Sequence, residues 1–155
     1  MTWKDPKRWE EMKRGINCRM CADIEFEENA HSFKVTELKQ SYVRLPKNQY
    51  WHGWVTVFLK RHANELFELS NQELSEFWQD VSIVAKAVQN VFQPVKINYA
   101  IYGNLCPHIH CHIFPQRFEN DPHAPIKQDE KEIFLEGREY QEMIDRLRNC
   151  IQNPR

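Results

Sequence analysis

The sequence predicts a single domain in which five strands surround one long helix. Its 155 residues are enough to bury a sizeable core, and no obvious linker divides them. Apolar and polar residues alternate in several short segments, as they do in half-buried strands. Residues 70–93 instead carry apolar side chains three and four positions apart, which is the spacing of an amphipathic helix.

The first part of the chain predicts one short helix and three strands. Asp5-Pro6 combines a helix N-cap with proline at the first helical position, and Gly15 ends this helix. The strand segments are rich in β-branched and aromatic residues, and a turn near 39–41 separates the first two. The three predicted strands cover residues 33–38, 42–45 and 53–59.

The second part predicts the long helix and two further strands. Ser70 and Glu73 form a capping box that begins the helix, and Pro94 ends it, with the apolar stripe assigned to the core. Residues 97–102 predict a fourth strand, which turns at Gly103-Asn104 into a fifth, antiparallel strand. The remaining segments are predicted as irregular over 115–127 and mostly helical over 130–149, with an interruption near Gly137.

The fifth strand carries the most distinctive pattern in the sequence. Between Asn104 and Gln116, three histidines occupy every second position: His108, His110 and His112. A strand here places their imidazoles on one face and an apolar row of isoleucine and cysteine on the other. Imidazole serves as acid, base, nucleophile or metal ligand near neutral pH. The pattern therefore indicates a functional site.

Charge and composition narrow the class of ligand. With 28% charged residues and a formal net charge of -1, we expect no general attraction for nucleic acid or membranes, and a small ligand instead. The N-terminus lacks an apolar signal region, and no apolar run approaches the roughly 20 residues of a membrane span. The five cysteines, which include the pair Cys18 and Cys21, are expected to be reduced thiols in the cytoplasm.

The segment from His108 to Phe114 matches the pattern His-φ-His-φ-His-φ-φ, where φ is apolar. With this motif the chain resembles the histidine-triad (HIT) nucleotide hydrolases and transferases. Residues 54–62 resemble the strand and lysine-histidine turn of that family. Pro115-Gln116, followed by Asp121-Pro122, resembles the bacterial branch described as diadenosine polyphosphate hydrolase-like.

The resemblance implies an α+β domain with a HIT-like fold. This fold has a five-stranded antiparallel sheet with one long helix and a C-terminal helix, usually in a homodimer. The resemblance covers about residues 16–125 of one domain spanning 1–155, and a C-terminal helical extension covers about 128–150. The implied reaction cleaves a dinucleoside polyphosphate or nucleoside phosphoramidate at its α-phosphorus through a covalent nucleotidyl-histidine.

Matching positions imply roles for individual residues. His110, the middle histidine, is the implied nucleophile, and His112 contacts the phosphate and assists the leaving group. Asn98 and Asn104 stand where relatives place phosphate-contacting amides, although a role at a turn or strand end is equally open. Trp54 stands near the start of the third strand, where many relatives carry histidine. This departure bears on the phosphate contacts and on the preferred leaving group.

The resemblance also implies a structural zinc site. Its four ligands occupy the positions that relatives with paired cysteines use for zinc: Cys18, Cys21, His62 and His108. A closed Cys₂His₂ site leaves no open position for water and would attach the N-terminal segment to the catalytic strand. A free dithiol or two buried thiols remain open as explanations of the cysteine pair.

Two other functions remain open. A metal hydrolase would bind a catalytic ion with all three histidines of the triad, but same-face strand positions i, i+2 and i+4 span about 14 Å, too far for one ion. A non-catalytic, zinc-stabilised nucleotide-binding module would keep the fold with little turnover. Three aromatic residues could stack a base, although core packing is the favoured interpretation: Tyr50, Trp51 and Trp54.

Overall fold

The computed structural model describes residues 4–123, 126 and 131–153. The described residues form five strands, four α-helices and a 3₁₀ turn at Leu66–Glu68. The strands are β1 (Ser32–Glu37), β2 (Ser41–Pro46), β3 (Val55–Leu59), β4 (Lys96–Ala100) and β5 (His110–Gln116). The helices are α1 (Pro6–Lys13), α2 (Arg19–Asp23), α3 (Asn71–Phe92) and α4 (Gly137–Gln152).

The five strands form one antiparallel sheet in the order β1-β2-β3-β5-β4. The strand with the histidines lies inside the sheet, where His112 pairs with Thr56 of β3 on one side and Ala100 of β4 on the other. β1 and β4 are the two edges. The α+β fold class and the antiparallel pairing of β4 with β5 are confirmed.

The two longer helices cover one face of the sheet, and the histidines occupy the other. α3 contacts β2, β3 and β5, and α4 contacts α3 and β1. Ile109, Cys111 and Ile113 are buried in this helix-covered core, as strand alternation predicts. His110 and His112 are therefore on the face opposite the core, on a strand that packing makes rigid.

Capping residues explain where the helices begin and end. Asp5 accepts a hydrogen bond from the backbone N–H of Arg8, and Gly15 adopts a positive φ of 78° just after α1. Both reciprocal hydrogen bonds of the Ser70/Glu73 capping box are present at α3. These local predictions are confirmed.

Two predictions about element boundaries are wrong, and one short helix was missed. β5 begins at His110 rather than near Asn104, because Pro107 has no N–H to donate and the backbone N–H of His108 turns back to Cys106. Gly137 begins α4 instead of interrupting a helix, since Glu136 caps it; residues 131–136 are not helical, and 127–130 lie outside the described residues. The short α2, which begins just after Cys18, was not predicted.

A buried cation holds the N-terminal segment to the sheet. Arg44 of β2 is fully buried, and its guanidinium donates to the backbone carbonyls of Ile24, Phe26 and Ser32. Its Nε–H also donates to Ser32 Oγ at 2.7 Å. The Arg44 side chain thus joins three points of the segment between α2 and β1 to the sheet.

We expect Arg44→Met to destabilise the protein by about 3 kcal/mol, measured by urea unfolding. Methionine removes the donor to the carbonyls of Ile24 and Phe26, whereas the carbonyl of Ser32 still accepts from the backbone N–H of Asn29. Each buried unsatisfied group costs about 1–3 kcal/mol, partly offset by removal of a buried charge. Arg138→Met is the matched control, because Arg138 is exposed and its ion pair is with Glu142 on the same helix. Equal unfolding free energies for the two variants would contradict a structural role for Arg44.

Candidate functional site

The His110 side chain is held in one tautomer. Its Nδ1–H donates to the backbone carbonyl oxygen of His108 at 2.6 Å, and a carbonyl can only accept. The lone pair of the neutral ring therefore lies on Nε2. The imidazole also stacks on Phe58, with ring centroids 5.4 Å apart and an interplanar angle of 11°. Residue His110 is 6% exposed, so the protein fixes a basic nitrogen with little access to bulk water.

The His112 side chain is held in the opposite tautomer. Trp54 Nε1 lies 3.1 Å from His112 Nδ1, and an indole nitrogen can only donate. His112 Nδ1 must accept, so its proton lies on Nε2. The rings of His110 and His112 are 4.8 Å apart and nearly perpendicular. The site thus presents a lone pair and an N–H donor side by side.

Burial keeps both rings neutral. It lowers the pKa of His110 below the usual histidine value. Burial, together with the repulsion that a protonated His110 would exert, lowers the pKa of His112 to about 3. At neutral pH His110 is therefore an unprotonated imidazole, which is the nucleophilic form.

A cleft of about 690 Å³ opens over these histidines. Its wall includes His110, His112, Asn104 and aromatic side chains, so Asn104 and the two histidines share one cleft. Asn98 is exposed on β4, in register with Phe114, and is not among the lining residues. The aromatic residues of the cleft are Tyr50, Trp54, Phe58 and Tyr102.

This placement corrects the favoured interpretation of two aromatic residues. Tyr50 and Trp54 line the cleft instead of joining the core, whereas Trp51 donates its indole N–H to the carbonyl of Pro115. Phe58 was missed, although it pairs with His110 across β3 and β5. The alternation of β3 puts Phe58 on one face with Thr56, but only the strand register shows which face that is.

The four predicted metal ligands meet at one point: Cys18, Cys21, His62 and His108. Their ligand atoms all lie within 4.8 Å of one another. The Nδ1 atoms of His62 and His108 lie 3.3 Å and 3.4 Å from Cys21 Sγ. Each Nε2–H donates to a backbone carbonyl, so both Nδ1 lone pairs face the thiols. Two such nitrogens and two sulfurs fit a tetrahedral zinc ion.

His108 connects this cluster to the cleft. Its ring belongs to the metal cluster, and its backbone carbonyl accepts the hydrogen bond that orients His110. The sequence offered no signal for Cys106, yet its Sγ lies 3.4 Å from Cys18 Sγ and the residue also lines the cleft. The cluster and the cleft therefore share the segment just before β5.

The decisive comparison is with known families. A model of the HIT domain matches residues 27–119, which is more than half of the chain. The chain belongs to the HIT domain family. In this HIT protein the matched residues contain the whole sheet and α3, whereas Cys18 and Cys21 lie before them.

Solved structures of other HIT proteins share this fold. A histidine triad protein from Bradyrhizobium japonicum is 24% identical, with a TM-score of 0.72, over 78% of this chain and 91% of its own. A hypothetical histidine triad nucleotide-binding protein from Sulfolobus tokodaii is 22% identical, with a TM-score of 0.69, over 88% and 93%. A zinc-bound histidine triad family protein from Mycobacterium smegmatis is 19% identical, with a TM-score of 0.63, over 88% and 94%.

One further comparison and one feature of the helices complete the description of this HIT protein. A search of the curated proteins found no match. Among the residues that the structure describes, none of the helices is long and apolar enough to cross a membrane. The proposal of a function therefore rests on the family and on the geometry of the site.

Proposed function

We propose that this HIT protein is a nucleotide hydrolase or transferase that cleaves its substrate at the α-phosphorus through a covalent nucleotidyl-His110. The observation that carries the proposal is the hydrogen bond from His110 Nδ1–H to the carbonyl of His108. It leaves Nε2 as the basic nitrogen of a residue that lines the cleft. Family membership supports activity on nucleotides in general.

The tautomers assign the steps of the reaction. The lone pair of His110 Nε2 forms a bond to the α-phosphorus, and the electron pair of the breaking bond departs with the leaving group. The Nδ1–H···O=C bond to His108 then stabilises positive charge on the substituted imidazole. His112 Nε2–H donates to a phosphate oxygen. Water next attacks the phosphorus and loses a proton to solvent, and His110 regains its lone pair.

The cleft supports a nucleotide as substrate, either a dinucleoside polyphosphate or a nucleoside phosphoramidate. Aromatic side chains of Tyr50, Trp54 and Tyr102 offer surfaces on which a base can stack. The amide of Asn104 offers a neutral donor for phosphate oxygens. The volume of about 690 Å³ is within the usual range for small-molecule sites.

We also propose that the Cys₂His₂ cluster binds a structural zinc ion. The orientation of both Nδ1 lone pairs toward the thiols supports it, as does the zinc-bound relative from Mycobacterium smegmatis. All four positions are protein side chains, so the ion would supply stability instead of an activated water. Thiolate ligands require a reducing compartment, which makes the cytoplasm the proposed location.

A homodimer with β4 at its interface is proposed as the assembly. β4 is an edge of the sheet, and an edge strand offers unpaired backbone groups to a second chain. Large apolar side chains near this edge are exposed, and covering them would bury apolar area. These residues are Val95, Tyr99, Ile101, Tyr102 and Leu105.

The proposal is tested by intact-protein mass spectrometry after a brief reaction with adenosine phosphoramidate or diadenosine tetraphosphate. We expect the wild type to gain the mass of one adenylate, and His110→Ala to gain none, because the alanine has no nucleophile. Cys150→Ser serves as the labelled control, since Cys150 lies on α4 away from the cleft. An adduct of equal yield on His110→Ala would contradict the assignment.

The two alternative functions make different predictions in this assay. A non-catalytic nucleotide-binding module would bind both compounds without forming an adduct. A metal hydrolase that uses the whole triad is disfavoured by the geometry, since His108 Nδ1 faces Cys18 and Cys21 while His110 lines the cleft. No single ion can be held by side chains that face two different sites.

A further inference from the structure

We propose that Trp54 is a positioning residue that holds His112 as a neutral Nε2–H donor, and that it thereby restricts the reaction to leaving groups that depart as stable anions. The inference rests on the proposed function and narrows its substrate class. Nucleotides joined to phosphate or another acid through an anhydride are then substrates, whereas nucleotides joined to an amine are poor ones.

The indole of Trp54 is well fixed for this task. Its ring stacks on Phe114 with centroids 5.5 Å apart and an interplanar angle of 21°. The ring of Tyr50 packs against the indole edge to face, with centroids 5.4 Å apart. Nε1–H is its only polar group, and it lies 3.1 Å from His112 Nδ1. The Thr56 hydroxyl approaches the same nitrogen at 3.4 Å. The indole N–H cannot turn away from His112 unless the rings of Trp54, Phe114 and Tyr50 repack.

This contact disfavours the imidazolium form of His112. A second proton on Nδ1 would place an N–H against the indole N–H, donor against donor, and would break the hydrogen bond. Burial acts in the same direction, and the pKa of His112 is lowered to about 3. His112 therefore stabilises charge on the phosphate by donating a hydrogen bond, but it has no acidic proton to transfer.

The consequence for the leaving group follows from electron balance. When His110 Nε2 bonds to the α-phosphorus of an anhydride, the P–O electron pair leaves with the phosphate oxygen. That oxygen is stable as an anion, because a phosphate or carboxylic acid is ionised at neutral pH. No proton is required. When the bond is P–N, the pair would leave as an amide anion unless the nitrogen is protonated, and His112 cannot supply that proton. General acid catalysis contributes about 10²–10⁴ in rate, so its absence selects against amines.

Trp54→Phe removes the N–H and keeps an aromatic ring, so it tests the inference directly. In this variant the Thr56 hydroxyl can accept from Nδ1–H, and the imidazolium of His112 becomes accessible. Trp51→Phe is the matched control, because Trp51 also donates an indole hydrogen bond, to Pro115, and does not line the cleft. The zinc-replete full chain is used throughout.

Two measurements are made on each variant. The first is kcat/KM for diadenosine tetraphosphate and for adenosine 5′-phosphoramidate, which share the transferred adenylate, so that effects on the binding of this adenylate cancel in the ratio. The second is the two-bond ¹H–¹⁵N spectrum of ¹⁵N-histidine-labelled protein without substrate, which identifies the protonated nitrogen of each imidazole. A structural role alone would alter both rates together and would leave the tautomer unchanged.

We expect the wild type to favour the anhydride by at least about 10²-fold, and Trp54→Phe to narrow that preference by about tenfold. His112 should show a protonated Nε2 that persists below the ordinary histidine pKa of about 6.5, and Trp54→Phe should shift its titration toward that value. Trp51→Phe should match the wild type in both measurements.

Four results would overturn the inference. A protonated Nδ1 on His112 in the wild type would refute the tautomer, and equal kcat/KM values for the two compounds would refute the leaving-group restriction while the proposed function stands. An unchanged ratio of the two kcat/KM values in Trp54→Phe would show that Trp54 does not impose the restriction. If folded protein forms no adenylate on His110 with either compound, the proposed function fails first and the restriction fails with it.

Discussion

His110→Ala is expected to lower kcat/KM for the best nucleotide substrate by at least about 10³-fold, equivalent to about 4 kcal/mol of transition-state stabilisation. Of the two Nε2 atoms of the pair, only that of His110 carries a lone pair, since the proton of His112 lies on Nε2 and its lone pair, on Nδ1, accepts from Trp54. Alanine therefore removes the covalent route entirely. Steady-state kinetics with single-turnover controls will measure the loss.

His112→Ala provides the contrast for this prediction. It removes a hydrogen-bond donor but keeps the nucleophile, so we expect a loss of about 10²-fold and an adenylyl-enzyme that still forms slowly. Thermal denaturation must show that both variants are folded, because both residues are buried in β5. Comparable kcat/KM values for His110→Ala and wild type would rule out His110 as the nucleophile. A larger loss in His112→Ala would indicate that His112 is the nucleophile and His110 the donor.

Removal of zinc is expected to lower the melting temperature by about 10 °C. A ligand present at about 1,000 times its Kd stabilises the folded state by about 4 kcal/mol, and each kcal/mol changes Tm by about 2–4 °C in a domain of this size. The cluster joins Cys18 and Cys21 of the N-terminal segment to His62 and His108 beside the sheet. Without the ion these segments lose a shared anchor.

Cys21→Ser and Cys150→Ser separate this effect from a general effect of thiol loss. Cys21 belongs to the cluster, whereas Cys150 lies on α4 outside it. We expect Cys21→Ser to lose stoichiometric zinc, measured by elemental analysis, and to melt near the temperature of the chelated wild type. Cys150→Ser should retain both zinc and stability. Purified wild type without zinc, whose Tm chelators do not change, would disprove the structural site.

Loss of zinc should also affect His110, because His108 takes part in both sites. The ring of His108 belongs to the cluster, and its carbonyl orients His110 at 2.6 Å. Activity is therefore expected to fall together with zinc content, even though the ion takes no part in the chemical steps. The coupling follows from one residue that contributes its side chain to one site and its backbone to the other.

Local periodicity predicted five strands and one long helix, and the family resemblance supplied the α+β class and the antiparallel sheet. Period-two alternation located all five strands, and the three- and four-residue spacing located α3, because these periods follow directly from backbone geometry. The His-x-His-x-His and Cys-x-x-Cys spacings pointed to a functional site, and the family resemblance gave His110 its predicted role as nucleophile and Cys18 and Cys21 theirs as metal ligands. The family pattern added His62, which no local spacing connects to Cys18.

Boundaries without a strong local signal were predicted less well. β5 begins only after a turn at Pro107, although the alternating pattern continues through that turn. Gly137 begins α4, although a glycine within a helical pattern had suggested an interruption. In both cases capping and backbone hydrogen bonds outweighed the pattern of side chains.

The sequence by itself predicted the five strands, α3 and the alternation that puts the histidines on one face of β5, and the family resemblance supplied the candidate metal ligands. Only the tertiary structure decided the tautomers of His110 and His112, the position of Asn104 in the cleft and the contact between Trp54 and His112. Trp54 and His112 are 58 positions apart, and strand register alone brings them within 3.1 Å. Such partners depend on packing between distant segments, which no local period records.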